Sequence, residues 1–413
     1  MPFEFYYETN FKETELGPLP EDWDLVKLGD VCKEYKEKVG NEDKKYEPVA
    51  VGEYGLRKRE EIYYKKLTEK IDKYIKYPFS SICFGLGTKR MAVGINTFIN
   101  SNFCVSPAYK VFLIDTKKFN IYFFNFLIKY QSSLWGANYL IQSVRQGKKV
   151  DIERLFKEFI PLPPLSEQKA IAEVLQTIQE AKEKTEAVIE ATKKLKKSMM
   201  KHLFTYGNVP LSDVDKVKLK DTEIGLIPEH WQVVRFKELI NQKSEYSVTK
   251  VKKENYLQFG KIPIIDQSQN YISGYWNNEE DAFVGELPVI IFGDHTRAFK
   301  YVDFKFVCGA DGTKIIIPKK SMVSPLFFYY ALTFKEIPSR GYNRHYSILK
   351  NLPIPLPPLP EQQAIAEILQ EIDEKIQKEE AKKKALENLF KSMLNNLMSG
   401  KLRVKKIGDM DEL

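Results

Sequence analysis

Between Ser339 and Tyr346 the chain reads Ser-Arg-Gly-Tyr-Asn-Arg-His-Tyr, gathering two of its ten arginines with asparagine, histidine and tyrosine around one glycine. Arginine and lysine offer paired donors that fit guanine, and asparagine and glutamine offer a donor beside an acceptor that fits adenine, so a loop of this composition is suited to reading base edges. Arg340, Tyr342, Asn343, Arg344 and His345 are therefore candidate nucleic-acid contacts. A matching segment stands 194 positions earlier, Arg145-Gln146-Gly147-Lys148-Lys149, with Gly147 aligned to Gly341 and with Arg145, Lys148 and Lys149 as the candidates. A second pair follows a repeated Phe-Gly: Lys89 and Arg90 after Phe84-Gly85, His295 and Arg297 after Phe292-Gly293. Lysines in this set are expected at phosphates, where they position a domain without specifying sequence. The plain alternative for each segment is an ordinary solvated loop. Tyr271, Tyr275 and Trp276 could stack on a base, but packing in a core or turn is the preferred reading.

Other chemistries find less support. Phe84-Gly85-Leu86-Gly87 holds one GxG, but Thr88-Lys89-Arg90 follows in place of the rest of a dinucleotide or adenosylmethionine loop, and a turn is expected. There is no GxxxxGK(S/T), so a nucleotide-driven motor would have to be another chain. Asp303-Phe304-Lys305 has the acid-x-Lys form of a nuclease triplet without a convincing upstream aspartate. The four cysteines and four histidines are scattered with no ligand spacing, which favours buried reduced thiols over a structural metal. No catalytic residue, cofactor site or metal site is expected in this chain. No apolar run approaches the roughly 18 residues of a membrane span, and Met1-Pro2-Phe3-Glu4-Phe5 lacks a basic start and an apolar signal core, so a cytoplasmic protein without a membrane partner is expected. A net charge of +8 is too mild to identify a nucleic-acid binder by itself.

The elements that carry these loops occur twice. Ile160-Pro161-Leu162-Pro163-Pro164-Leu165-Ser166-Glu167-Gln168 returns as Ile354-Pro355-Leu356-Pro357-Pro358-Leu359-Pro360-Glu361-Gln362, each followed by Ala-Ile-Ala-Glu one residue on. Thr14-Glu15-Leu16-Gly17 to Trp23 returns 208 positions later as Thr222-Glu223-Ile224-Gly225 to Trp231. Repeats of this length are whole domains, since solenoid units run about 20 to 50 residues. Short β-rich runs with glycine punctuation, then an aromatic helix over 119–129 or a helix starting at Ser324-Pro325, make each domain α+β. The proline-rich phrase is expected to stop strand and helix alike.

A long helical pattern follows each phrase. The first places Ile171, Val174, Ile178, Ala181, Thr185, Val188, Thr192, Leu195 and Met199 in a 3-4 alternation, a coiled-coil seam. The second offers Ile365, Ile368, Ile372, Ile376, Leu386, Leu389, Met393 and Leu397. Each seam needs a partner, and the other copy is the obvious one. Antiparallel pairing is expected because it keeps the two globular domains from crowding one end, giving a pseudo-two-fold, circular arrangement. The tail from Gly400 echoes the linker from Gly207 and is expected beside the first domain. The expected division is 1–155 and 208–350 for the globular parts, with helices in 156–207 and in 351–413.

A globular domain, the phrase PLPPL-x-EQ-x-AIAE-(V/I)-L, a long helix, and all of it again: over essentially its whole length the chain resembles the specificity subunits of Type I restriction-modification systems. The resemblance implies two target recognition domains, each reading one half of a split double-stranded DNA site, and two spacer helices. It implies docking of two methyltransferase subunits and of restriction/translocase subunits, with S-adenosylmethionine, ATP and Mg held by those partners. The framework repeats while loop residues diverge, so an asymmetric site is expected. The competing reading is a non-DNA scaffold with two α+β modules on a coiled coil.

Overall fold

Trp23 and Trp231 are fully buried, and each indole N–H donates to the glutamate of the nearby proline-rich phrase, Glu167 at 2.9 Å and Glu361 at 3.1 Å. The glutamine beside each glutamate works equally hard. Gln168 donates to the carbonyls of Pro163 and Lys118 and accepts from the Asn120 N–H; Gln362 donates to those of Pro357 and Met322 and accepts from the Ser324 N–H. Each repeated Glu-Gln pair thus fastens the start of a long helix to two segments of its domain, which satisfies the polar groups buried there. In the computed structural model the described residues are 3–52, 55–59, 70–87, 91–135, 138–142, 148–241, 248–309, 312–335, 337 and 345–407.

Contacts divide the chain into two units, Met1–Lys184 with Lys382–Leu413, and Thr185–Ala381. In the first, an antiparallel sheet runs in the order Val93–Asn96, Ser81–Phe84, Lys110–Ile114, Cys32–Tyr35. Alternate side chains of a strand face opposite ways. Accordingly Ile82 and Phe84 pack with the helix Ile121–Trp135, while Cys83 and Val111 meet Val49 and Val51 of a second sheet. That second sheet is ordered Gly55–Lys58, Glu47–Gly52, Phe103–Val105, Ile75–Tyr77. The second unit repeats the layers. Ile290 and Phe292 of Val289–Gly293 pack with the helix Pro325–Phe334, and Val289 and Ile291 face Ile265, Phe306 and Cys308 on the other side. All four cysteines are buried thiols, and burial pushes Cys32 and Cys104 up to about 12 and Cys308 to about 11.

Part of the proline-rich phrase is strand, contrary to expectation. Phe159–Leu162 pairs antiparallel with Asp24–Lys27, and Pro353–Leu356 with Gln232–Arg235. Both are two-stranded sheets, where a proline can turn its missing donor away from the ladder. Ser324 stands at the N-cap position with Pro325 following, but its side chain caps nothing; its backbone N–H goes to Gln362.

The long helices are Leu165–Tyr206 and Leu359–Met398. Within the second unit they run antiparallel: Lys196 pairs with Asp373 at 2.6 Å, and stepping back to Lys193 moves the partner forward to Glu380 at 2.9 Å. Within the first unit, Ile171, Val174 and Ile178 share a core with Phe390, Met393 and Leu397. In its later half the expected seam holds at Thr185 and Thr192, which are buried, and is corrected at the alternate positions. Val188 and Leu195 are 39% and 51% exposed, Leu389 46%, while Ile189 is buried and Lys196 and Phe390 turn inward. A straight helix drifts about 20° per heptad from a 3.5-residue repeat, so at these alternate positions the next residue turns toward the partner instead.

Each long helix ends on a glycine with positive φ, Gly207 at 80° and Gly400 at 67°. Its N–H caps the last turn, to Leu203 in one copy and Leu397 in the other. A Cβ on Gly400 would lie 2.5 Å from the Pro20 ring, and one on Gly207 would strike the Glu361 carboxylate. Gly400→Ala is expected to destabilise the first unit by about 1–3 kcal/mol, read as a lower denaturant midpoint with unchanged slope. An alanine variant of equal stability would show that the left-handed cap is not required.

The tail beyond Gly400 docks as its echo of the linker suggested. Leu402–Lys406 pairs antiparallel with Phe3–Tyr7, which puts the tail in the first unit.

Candidate nucleic-acid interface

Gly85 follows and Gly293 ends an inner strand of its domain, and backbone of the neighbouring hairpin lies directly over each, from its first strand in the first domain and from its tip in the second. A Cβ on Gly85 would be 2.5 Å from the Val51 carbonyl oxygen, and one on Gly293 2.7 Å from that of Gln267. No larger residue fits under that backbone, which accounts for the repeated Phe-Gly.

In the first domain, Leu86–Gly87 continues past this crossing and pairs antiparallel with Lys148–Val150, Leu86 opposite Lys149 and Gly87 opposite Lys148. The far side of Lys148–Val150 pairs with Leu140–Gln142. One small sheet therefore joins the ends of both candidate segments, and Lys148 and Lys149 on it are exposed. Lys89, Arg90 and Arg145 lie outside the described residues.

In the second domain, buried Asp294 makes the equivalent junction. Its carboxylate accepts the N–H groups of His345 (2.8 Å) and Tyr346 (2.7 Å), and its backbone carbonyl meets His345 Nδ1 at 2.9 Å. His345, expected to touch DNA, is 1% exposed and is corrected to an anchor of the segment it ends, since a side chain enclosed in this way cannot reach a base edge. His295 is half-buried; Arg297 is exposed, with its Nη1 donating to the Ile337 carbonyl at 2.9 Å. Arg340, Tyr342, Asn343 and Arg344 lie outside the described residues. Tyr271 is exposed, with its hydroxyl on the Tyr301 carbonyl and its ring against Phe304, and the half-buried Trp276 donates to Asp281 at 2.8 Å.

The segment Asp266–Ser273, of which only Tyr271 stood out in the sequence, packs on the turn after Gly293. Thr296 donates its hydroxyl to the Gln267 carbonyl, and the Gln269 amide approaches the Thr296 carbonyl at 3.5 Å. The signal available was the amide-rich string Gln267-Ser268-Gln269-Asn270 just before Tyr271. Among the described residues no group of three or more His, Cys, Asp or Glu could hold a metal ion, and no helix is long and apolar enough to cross a membrane.

Two α+β domains in tandem, each fastened by a Glu-Gln pair to a long helix and each bringing its divergent polar segments to one junction, define the specificity-protein class of restriction-modification systems. The chain belongs to that family: residues 20–192 and 228–388 match the Type I restriction modification DNA specificity domain. It is 29% identical to the Type I restriction enzyme MjaVIII specificity subunit of Methanocaldococcus jannaschii, covering 98% of both chains. It is 28% identical to the putative MjaX specificity subunit of the same organism, over 97% of this chain and 99% of the relative. Its fold is similar to the crystal structure of the Type I S subunit from M. genitalium, with a TM-score of 0.61, 17% identity, and coverage of 91% of this chain and 96% of that one.

Proposed function

We propose that this chain is the DNA-reading, non-catalytic subunit of a Type I restriction-modification complex. It binds a split, asymmetric duplex site, one half-site per recognition domain. Chemistry belongs to partners: two methyltransferase subunits carrying S-adenosylmethionine, and restriction/translocase subunits using ATP and Mg. The observation that carries the reading is the pair of junctions just described. Each domain uses the same Phe-Gly crossing to bring the ends of two polar segments together, while the matched segments differ in sequence, Thr88-Lys89-Arg90 against Asp294-His295-Thr296-Arg297 and Lys148-Lys149 against Tyr342-Asn343. A shared frame with unlike contacts is what two readers of unlike half-sites require, since phosphates position and base edges specify.

Duplex binding by the full chain with its methyltransferase is expected to fall steeply with salt. With about six phosphate contacts, affinity should drop on the order of a thousandfold between 50 and 200 mM salt, because counterion release gives a log-log slope near −0.9 per phosphate. Binding that is absent or flat with salt would instead favour a protein scaffold.

A further inference from the structure

The two domains share a hairpin and differ in its tip. In the first, Glu47–Gly52 and Gly55–Lys58 form the hairpin, and its first strand runs parallel to the strand holding Cys104. In the second, Ile262–Ile265 and Gly274–Trp276 form it, with the first strand parallel to the strand holding Cys308. Between the strands the first copy has only Glu53 and Tyr54, whereas the second has the whole of Asp266–Ser273. The added chain exposes Gln269, Asn270, Tyr271 and Ile272 beside the turn that holds His295 and Arg297.

A surface loop of this kind would ordinarily be mobile, but this one is held from beneath. Lys300 is 4% exposed, and its ammonium donates to the backbone carbonyls of Asp266 (2.8 Å) and Asn270. The buried Asp266 carboxylate accepts from the Ser268 N–H (2.9 Å), the Ser273 hydroxyl and the Tyr256 hydroxyl (3.2 Å). Burying an ammonium is costly, and its donors here go to the start and the middle of the tip. Ordering a loop in advance removes an entropic cost that binding would otherwise meet.

We infer that Gln269 and Asn270 are specificity-determining residues that read an A·T pair in the second domain's half-site, with Lys300 as their positioning residue. The inference rests on the DNA-reading function proposed above. Amide side chains place a donor and an acceptor side by side, which matches N6 and N7 of adenine in the major groove, and one such pair discriminates by roughly ten- to a hundredfold.

The test maps methylated sites in cells expressing the full chain with its methyltransferase subunits, for the wild type, Q269A/N270A and K300M. In Q269A/N270A the preference for A·T at one position of one half-site should fall tenfold or more, with the other half-site unchanged. K300M should relax that same position. An unchanged motif in Q269A/N270A, from a complex that still methylates, overturns the reading role. A uniform loss of methylation in K300M with the motif intact overturns the positioning role. A wild-type complex that methylates without sequence preference, or a wild-type chain that never binds duplex, overturns the DNA-reading function itself and this inference with it.

Discussion

Replacing Arg403 by methionine is expected to destabilise the first unit by about 3–5 kcal/mol, the usual cost of removing one partner from a buried ionic cluster. The guanidinium is nearly inaccessible and donates to Glu167 through Nε (2.6 Å) and Nη2 (2.8 Å), to Asp22 at 2.7 Å, and to Glu8. Methionine would leave the buried Glu167 carboxylate, and the half-buried Glu8 beside it, with no cation. Lysine should rescue little, because a single ammonium cannot reproduce the fork that engages both Glu167 oxygens. Lys405→Met supplies the contrast: its partner Glu4 and Lys405 itself are exposed, so about 0.5 kcal/mol or less is expected. Chemical denaturation with a probe in the first unit reads all three, and an Arg403→Met loss no larger than that of Lys405→Met would refute the account.

The cluster also sets a pH dependence. Glu8 is held below the ordinary carboxylate value, first by the Asn10 N–H, with the Thr9 N–H and Arg403 adding to it against the opposing effect of burial. A carboxyl depressed on folding stabilises above its unfolded value of 4.5, and that contribution fades as pH falls through the lower folded value. The advantage of wild type over Arg403→Met should therefore shrink in acid.

The second unit solves the same problem with other residues. Glu361 occupies the place of Glu167 and again receives an indole N–H, but its further partner is His230, at 2.9 Å, in the place of Asp22. Here the limit of sequence reading is plain. The Gly207 and Gly400 echo was visible as letters, and so was the repeat of Trp and Glu-Gln. The ionic cluster around Arg403 was not legible, because its carboxylates stand at positions 8, 22 and 167, too far along the chain for any local pattern to join them. Periodicity located both long helices, yet it named Val188, Leu195 and Leu389 as seam residues because a strict heptad ignores the drift of a straight helix. The junctions of the candidate site were half legible. Phe-Gly repeats because backbone crosses it in both copies, whereas the Asp266–Ser273 tip has no counterpart to align with and escaped a comparison built on offsets.

Lengthening both long helices by four residues, after Lys184 in the first and after Ala381 in the second, is expected to widen the gap between half-sites by about two base pairs. Both insertion points are on exposed, charged stretches. Four residues add about 6 Å of helix, against about 6.8 Å for two base pairs at 3.4 Å each. A coiled coil accommodates a four-residue insertion by local unwinding, so the seams on either side can keep their partners. The Lys196–Asp373 and Lys193–Glu380 pairs lie together on one side of both insertions and should persist. Two base pairs also turn the duplex by roughly 70°, given 10 to 10.5 base pairs per turn, so weaker binding should accompany the wider gap. Inserting four residues in one helix alone should do something different: it slips one seam against the other, so loss of stability is expected in place of a new gap. Mapping methylated sites separates these outcomes. An unchanged gap in the double insertion would assign the spacing to contacts made by the partner subunits, and would leave the helix pair a packing role only.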